Sequence, residues 1–406
     1  MKSLKIKIIY TVVTLIMARI GIFIPIPSVD HDTLYNSIGN NAFINFLNIF
    51  SGGGLSTIGM FALGIVPYIN ASIITQLFTK IVPYLENLQK EEGEAGRRKI
   101  TQITRYLTLI WAIIQSIAVA LWIKPYVFNW NISFIIDCTI TLTTGSMITM
   151  WLSELITEYG IGNGASLLIF QNIVSGIPKN LPQYNYLFHT EKIFPIFLLM
   201  LLFMCMLSIT ILVQEGTKKI DIISAKQLNN FNTINSKSYI PLKVNQGGVM
   251  PIVFASAAMT IPTYLSKTFN NKEINTAILF LLNSPLYILI YGMLIITFSY
   301  FYSSLILNPK DIAKNLKKMG ASIPSVRPGN QTSQHLEYII NRLTFLGALF
   351  LFFIALIPSL VTNISELKIF QGLGATSLLI LVGVAIDTAK QIQTYIISEK
   401  YNTMIQ

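Results

Sequence analysis

The side chains that most often carry catalysis or hold metals are few and scattered in this sequence. The three histidines stand singly, and the two cysteines, Cys138 and Cys205, lie far apart in apolar segments. No cluster of His, Cys, Asp and Glu has the spacing of a metal site, so we expect two buried free thiols and no metal. No G-x-x-x-x-G-K-[ST] pattern is present, and no Ser/His/Asp or Cys/His set stands out. We therefore predict a protein that is not an enzyme and has no cofactor.

Four ionisable groups fall within or near apolar segments: Arg19, Asp137, Glu154 and Asp387. Such groups are costly in lipid and are candidates for function. The three acids lie close enough to helix ends to be interfacial, which is the interpretation we favour, and Arg19 has no assigned role. An ion-coupled transporter usually has more acidic groups at the membrane midplane, which argues against a coupled transporter without excluding one.

The composition indicates the elements that must position these residues. Charged residues make up only 12% of the 406 positions, whereas about 25% is usual in a soluble protein. The basic start and apolar run of MKSLKIKIIYTVVTLIMARIGIF resemble a signal peptide, but Arg19 interrupts the run and no small-x-small site follows. We expect a retained first membrane helix in a polytopic membrane protein.

A spanning helix needs about 20 mostly apolar residues, and ten segments qualify, which predicts an all-α fold with ten transmembrane helices. The fifth segment is short and requires tilt or shielding by neighbours. The segments are 4–25, 60–82, 101–123, 134–157, 165–178, 193–213, 248–265, 285–307, 339–358 and 374–392.

Charge predicts the orientation of the chain in the membrane, and the number of spans predicts its symmetry. With the N-terminus on the cytoplasmic or stromal side, 22 of the 29 Lys and Arg residues fall on that side and six on the other, as the positive-inside rule requires. Five spans in each half make an inverted repeat, which places a pathway between the halves. We expect halves at 1–178 and 190–392, with a short tail at 393–406 on the same side as the N-terminus.

Two long basic segments, 214–247 and 308–338, lie on the inner side. The second has a helix signal: Asn308 as the cap, Pro309 at the first position, Asp311 in the first turn and Gly320 at the end. Lysines that only enforce topology are the simpler alternative. Segments this long, shaped by Pro and Gly, favour a docking surface for an acidic protein or a phosphate backbone.

The stretch NIFSGGGLSTIGMFALGIVPYINASIITQLF (48–78) begins too polar for lipid and too apolar for a loop in water. Its three consecutive glycines give a mobile backbone with weak helix propensity. Such a segment is tolerated at membrane depth only inside protein or a water-filled cavity. A simple Gly-rich loop would leave Leu55, Ile58 and Met60 without partners.

Six motifs together resemble the SecY family, in order along nearly the whole chain. They are RIGIFIPIPSVD (19–30), NIFSGGGLSTIGMFALGIVPYINASII (48–74), ITEYGIGNGASLLIF (156–170), LKVNQGGVMPIVFAS (242–256), NPKDIAKNLKKMGASIPSVRPGNQT (308–332) and TSLLILVGVAIDTAKQI (376–392). The small size and Ile/Asn/Lys-rich character look like the plastid-encoded form, in a thylakoid membrane. A bacterial form in a plasma membrane is the alternative.

The resemblance implies a channel for unfolded polypeptides between two inverted halves, with lateral release of apolar segments into lipid. It implies a plug at about 46–57 that closes the pore, comprising Ser51, Gly52, Gly53, Gly54, Leu55 and Ser56. It implies a pore ring of Ile65, Ile69, Ile169, Ile173, Val253 and Ile380. The two pairs of isoleucines are each spaced i,i+4, so each pair shares a helix face, and branched apolar side chains can exclude water by dewetting. The family often has a residue larger than Val253.

The resemblance also implies a lateral gate and several partners. Gln76 and Asn245 match polar gate positions, where a hydrogen bond could keep the gate shut until a signal sequence arrives. Arg327 matches the tip-loop arginine that engages a motor ATPase or a ribosome, and the basic residues Lys218, Lys219, Lys317 and Lys318 extend that surface. The expected partners are a SecE-like subunit, the SecA motor, the ribosome, with possible ribosomal RNA contact, and the translocating chain.

Two other classes of protein remain alternatives. A secondary transporter with an inverted repeat should have a polar, ion-binding midplane, whereas this midplane is apolar. A non-conducting membrane scaffold would not need the Gly-rich segment.

Overall fold

The computed structural model describes residues 2–31, 52, 54, 58–90, 93–180, 193–224, 238–255, 258–259, 286–365 and 375–405. Most of them are helical, and a 3₁₀ turn at Lys124–Tyr126 follows α4. The helices are α1 (Lys2–Ile22), α2 (Val66–Ile81), α3 (Pro83–Lys90), α4 (Gly93–Ile123), α5 (Ile132–Tyr159), α6 (Gly164–Asn180), α7 (Ile193–Glu215), α8 (Leu286–Ile306), α9 (Pro309–Lys318), α10 (Asn330–Ser365) and α11 (Ala375–Ile405). The strands are β1 (Thr217–Ser224), β2 (Ser238–Lys243) and β3 (Ala321–Ser322).

Four helical stretches in the described part of the chain are long and apolar enough to cross a membrane: Gly93–Tyr126, Ile132–Tyr159, Ile288–Lys318 and Asn330–Ile357. Shorter apolar helices cover Gly164–Gly176 and Leu201–Glu215. The described helices overlap nine of the ten predicted spans. Of the seventh, 248–265, residues 250–255 and 258–259 are helical and the remainder lies outside the described residues. The helical class of the fold is confirmed, and the count of ten spans stays a prediction.

The chain divides into two compact units, one formed by Met1–Phe188 with Val384–Gln406 and the other by His189–Gly383. The last helix is shared, because its first part belongs to the second unit and the remainder to the first. The segment 393–405, predicted as a tail, continues α11 as helix.

In the first unit, α2 packs on α4, α4 on α5, and α1 on α5. The core forms where the ends of α4 and α5 meet the segments that follow α1 and precede α2. Gly145 lets α5 approach closely, because a Cβ atom there would lie 1.9 Å from the Met60 carbonyl oxygen. One turn later, Thr149 Oγ1 donates to the Gly64 carbonyl at 2.8 Å. The segment before α2 is therefore held against α5 by backbone contacts.

A tight turn within the stretch YGIGNGAS (159–166) joins α5 to α6. Gly160 ends α5, Gly162 has a positive φ of 92°, and Asn163 Oδ1 accepts from Ala165 N at 3.1 Å at the start of α6. The loop is anchored from outside: Ile161 N donates to Thr11 Oγ1 at 3.0 Å, and Gly162 N donates to Gln391 Oε1 at 2.8 Å.

In the second unit, α8 packs on α10, with Gly292 facing Phe352 and the hydroxyls of Ser303 and Thr344 2.8 Å apart. The three strands form a sheet in the order β2-β1-β3. Residues Thr217 to Ile222 of β1 pair antiparallel with Lys243 to Ser238 of β2, and Ile223 and Ser224 pair with Ser322 and Ala321. The prediction of an all-α fold is wrong for this part of the chain. The sheet was not predicted, because its strands come from two segments that are far apart in the sequence.

The helix predicted in the second basic segment is confirmed as α9. Asn308 is the N-cap, and its Oδ1 accepts from Lys310 N at 3.1 Å. Pro309 occupies the first helical position and Asp311 the first turn, and Gly320 follows the helix with φ of 64°. The apolar side of α9 packs with the sheet and α10 in one core, built from Ile220, Leu242, Leu316, Ile323, Leu336, Ile340 and Leu343.

Candidate functional site

Two residues of the predicted plug are described, Gly52 and Gly54, and both are buried. Ser51, Gly53, Leu55 and Ser56 lie outside the described residues. Gly52 has a positive φ of 67°, a conformation that favours glycine. The Gly54 carbonyl accepts from Gly59 N at 3.2 Å, which links Gly54 to the segment before α2.

The backbone of Ile58 and Met60 is hydrogen-bonded to the chain that follows α1. Ile26 N donates to the Ile58 carbonyl at 3.0 Å, and Met60 N donates to the Ile24 carbonyl at 2.8 Å. Ile58 is fully buried in the core of the first unit. The predicted need of Ile58 for an apolar partner is therefore met by tertiary packing.

The ring residues of the first unit lie at the start of α2 and along α6. Ile65 immediately precedes α2, and Ile69 N donates to its carbonyl at 3.1 Å. Ile65 and Ile173 are buried, whereas Ile69 and Ile169 are half-buried. Each pair therefore presents one more accessible and one less accessible isoleucine.

The ring residues of the second unit are Val253, in the helical stretch 250–255, and Ile380 on α11. Ile380 is buried and Val253 is half-buried. Gln214 Nε2 donates to the carbonyl of Leu379, the neighbour of Ile380, at 3.4 Å. The closure of a ring by residues of both units stays a prediction.

The two residues predicted for the gate, Gln76 and Asn245, have local partners within their own units. Gln76 is exposed on α2, with Nε2 3.5 Å from Ser72 Oγ. Asn245 is buried, and its Nδ2 donates to the Gly248 carbonyl at 3.0 Å, inside a turn where Gly248 has φ of 59°. A direct bond between Gln76 and Asn245 stays a prediction.

The five basic residues proposed for docking all belong to the second unit: Lys218, Lys219, Lys317, Lys318 and Arg327. The four lysines and Arg327 are all exposed. Lys218 and Lys219 lie on β1, and Lys317 and Lys318 end α9. The Arg327 carbonyl accepts from Thr332 Oγ1 at 2.9 Å, while its neighbour Val326 packs against the core beneath. The two basic segments therefore pack on one shared core. The five basic residues that they carry, Lys218, Lys219, Lys317, Lys318 and Arg327, are here called the basic surface. Arg327 lies at an ordered turn.

One ion pair was not predicted from the sequence, and the burial of one thiol was predicted wrongly. Arg105 on α4 donates from Nε and Nη2 to Glu154 on α5 at 2.9 and 2.8 Å, although Glu154 was expected to be simply interfacial. Cys138 is buried as expected, but Cys205 is exposed, so that expectation was wrong. An apolar membrane helix does not show from sequence which side faces lipid.

Arg19, which had no predicted role, contacts a described residue of the predicted plug: its Nη1 donates to the Gly52 carbonyl at 2.8 Å. Among the described residues, no group of three or more His, Cys, Asp or Glu could hold a metal.

These features define a helical membrane protein with two buried glycines in the predicted plug and a basic surface built on a small sheet. The SecY family model matches residues 59–389. The chain is 61% identical to the protein translocase subunit SecY of Pyropia yezoensis, over 99% of this chain and 98% of the relative. It is 52% identical to that of Synechococcus elongatus, over 98% and 94%. The chain belongs to the SecY family.

Two solved structures share the fold. One is described as the structure of a protein conducting channel, with a TM-score of 0.64, 17% identity and coverage of 98% of this chain and 93% of that chain. The other is Sec61 in the canine ribosome-channel complex from the endoplasmic reticulum, with a TM-score of 0.62, 17% identity and the same coverage. The SecY/Sec61 channel fold, expected from the motifs, is confirmed.

Proposed function

We infer that this chain is the protein-conducting channel subunit of the Sec translocase. The observation that carries the inference is the family match along nearly the whole chain, together with a channel fold. The chain has no motor of its own in this proposal, so a partner or the membrane potential drives the movement of the unfolded polypeptide.

The proposed path runs between two inverted halves of five spans each, closed by the plug and by the ring of Ile65, Ile69, Ile169, Ile173, Val253 and Ile380. Branched apolar side chains suit this task because they exclude water without offering hydrogen bonds that would trap a passing chain. The buried, positive-φ Gly52 supports a plug folded inside protein. Apolar segments leave sideways through a gate that includes Gln76 and Asn245.

The proposed partners are a SecE-like subunit, the SecA motor, the ribosome and the signal sequence of the substrate. The ribosome is supported by the likeness to Sec61 of a ribosome-channel complex. The basic side chains of Lys317, Lys318 and Arg327 suit an acidic or phosphate-bearing partner. The packed core beneath supports docking over the simpler role of fixing topology, since topology needs no folded base.

The proposed location is the thylakoid membrane of a plastid, with a bacterial plasma membrane as the alternative. The red algal and cyanobacterial relatives support the plastid type. Both termini lie on the stromal side in this proposal. Lys7 Nζ donates to Tyr395 Oη at 3.1 Å, and this contact between the first and last helices supports termini on one side.

A crosslinking experiment tests the channel. Cys138 and Cys205 are replaced, Ile69→Cys supplies a single thiol, and the translocase is reconstituted in membranes with its companion subunits. A secretory chain with one cysteine is stalled part-way across the membrane, and an oxidant is then added to form a disulfide between the two thiols. We expect a disulfide adduct that depends on the signal sequence.

Ile110→Cys is the matched control, because Ile110 lies on α4 with 52% of its surface exposed and should face away from the path. An engaged chain that gives no adduct at Ile69, or an equal adduct at Ile110, would contradict the proposed path and favour the small-solute transporter.

A further inference from the structure

Arg19 lies at the boundary between the exposed and the buried face of α1. Its neighbours Ile16, Met17 and Ile20 are all more than half exposed, as expected for a helix that faces lipid. Arg19 itself is half-buried. A guanidinium in an apolar span is costly unless it is partnered, and such groups are usually functional. The partner of Arg19 therefore indicates what it does.

That partner is a backbone carbonyl 33 residues further along the chain. Arg19 Nη1 donates to the Gly52 carbonyl at 2.8 Å. A Cβ atom at Gly52 would lie 2.9 Å from Arg19 Nη1 and 2.6 Å from Asn172 Oδ1. Both this crowding and the positive φ of 67° call for glycine.

Asn172 places the contact beside the predicted constriction. It is a buried residue of α6, and the next position is Ile173 of the predicted ring. The nearby Gln171 Nε2 donates to the Leu15 carbonyl at 2.9 Å, which fixes α6 to α1. Gly52 is therefore enclosed between two helices that are bonded to each other.

We propose that Arg19 is a positioning residue that latches the plug shut, by donating from Nη1 to the Gly52 carbonyl. The proposal rests on the proposed channel function. A charged donor makes a stronger hydrogen bond than a neutral one, which favours the closed position. The carbonyl carries no net charge, so the latch opens without separating an ion pair.

The Phe23 ring lies near the guanidinium of Arg19 while that group is bonded to Gly52. The ring centroid lies 5.0 Å from Arg19 Cζ, and Phe23 follows directly after the end of α1. A cation over an aromatic face is stabilised electrostatically. The bond to Gly52 can therefore break, when an incoming polypeptide displaces Gly52, while the guanidinium keeps its contact with Phe23.

The test measures ion leak through the resting channel. Wild-type, Arg19→Met and Arg19→Lys chains are reconstituted with their companion subunits in lipid vesicles without substrate. Methionine keeps α1 apolar, so the helix should still insert. We expect about a tenfold higher leak for Arg19→Met, since a charged hydrogen bond of this kind shifts a two-state equilibrium by about that factor. Arg19→Lys keeps a charged donor and should give a smaller leak.

Gly52→Ala removes the latch from the other side and should also leak. Gly93→Ala is its matched control, because Gly93 has a similar φ of 56° with nothing within 4 Å of an added methyl group. The double variant Arg19→Met/Gly52→Ala should leak no more than the worse single variant, because both break one contact.

Three results would overturn the latch: no leak for Arg19→Met, an equal leak for Arg19→Lys and Arg19→Met, or additive leaks in the double variant. The crosslink at Ile69 in wild-type membranes separates this failure from a failure of the channel itself. If the secretory chain crosslinks at Ile69 and the Arg19→Met channel shows no added ion leak, the latch alone is refuted. Absence of the crosslink refutes the proposed function, whatever the leak.

Discussion

Arg105 and Glu154 form a bidentate ion pair that joins α4 to α5. The distance from Nε to Oε1 is 2.9 Å and that from Nη2 to Oε2 is 2.8 Å. The side chain of Arg105 is 49% exposed and that of Glu154 is 18% exposed. The paired geometry is the strong form of this interaction, but partial exposure reduces its value. It supplements the apolar packing of α4 on α5.

Breaking that pair should destabilise the first unit slightly. We expect Glu154→Gln to lower the free energy of unfolding by about 0.5–1 kcal/mol, discounted for the exposure of Arg105. The swap Arg105→Glu/Glu154→Arg should recover part of the loss. Thermal unfolding in detergent measures both, with Asp137→Asn, an exposed acid on the same helix, as the control. A stable Glu154→Gln protein would show that the pair contributes nothing.

Gly145→Ala should be far more harmful than its small size suggests. The new methyl group would lie 1.9 Å from the Met60 carbonyl oxygen, so α5 would be pushed from the segment before α2. Overpacking of this kind costs about 1–3 kcal/mol. Gly176→Ala is the matched control, because a Cβ there meets nothing within 4 Å, and alanine favours a helix by about 1 kcal/mol. Equal unfolding temperatures for the two variants would contradict the close approach.

Asn308→Ala should loosen the start of α9. It removes the hydrogen bond from Lys310 N to Asn308 Oδ1, and loss of such a cap costs about 1 kcal/mol. Asn308→Asp keeps an acceptor at the cap and should be close to wild type. Hydrogen exchange at the first amides of α9 measures the effect. Equal protection in both variants would mean that the cap is not needed.

Arg327→Ala should weaken docking without unfolding the basic surface, because its neighbour Val326, rather than Arg327, packs against the core. We expect roughly tenfold weaker binding of the motor or ribosome to nanodiscs that carry the translocase, or about 1.4 kcal/mol, as for an arginine anchor at an interface. Lys310→Ala, an exposed basic residue at the other end of α9, is the control. An equal loss in both variants would indicate general charge attraction rather than a defined contact.

Ile69→Thr should loosen the selectivity of the channel. Threonine and valine have nearly the same shape, so Ile69→Val controls for the lost methylene group while Ile69→Thr adds a hydroxyl that favours water in the ring. We expect the threonine variant to export a substrate with a defective signal sequence more readily than the valine variant. Unchanged export in both would count against Ile69 in the ring.

Local signals in the sequence predicted local structure well. The start of α9 follows from Asn308, Pro309 and Asp311, whose effects act within one helical turn. The turn after α5 likewise follows from closely spaced glycines. The apolar segments predicted most helix positions, because a chain in lipid must satisfy its backbone hydrogen bonds within each helix.

Contacts between distant segments could not be predicted in the same way. β1 pairs with β3 across roughly 100 residues, and that pairing depends on where α9 and α10 place the second segment. The exposure of Cys205 was predicted wrongly, because lipid and a protein core select the same apolar residues. Hydrophobicity alone does not separate these two environments.

The amino acids of this chain therefore decide its helices, their caps and its family, since these depend on local physical chemistry and on long motifs. The tertiary structure determines which backbone carbonyl accepts a hydrogen bond from Arg19. The sequence shows an arginine in an apolar span and a run of glycines, but the 2.8 Å bond from Arg19 to Gly52 exists only because α1 and α6 enclose that glycine. A backbone carbonyl is chemically the same at every position, so only its placement in space can distinguish one from another.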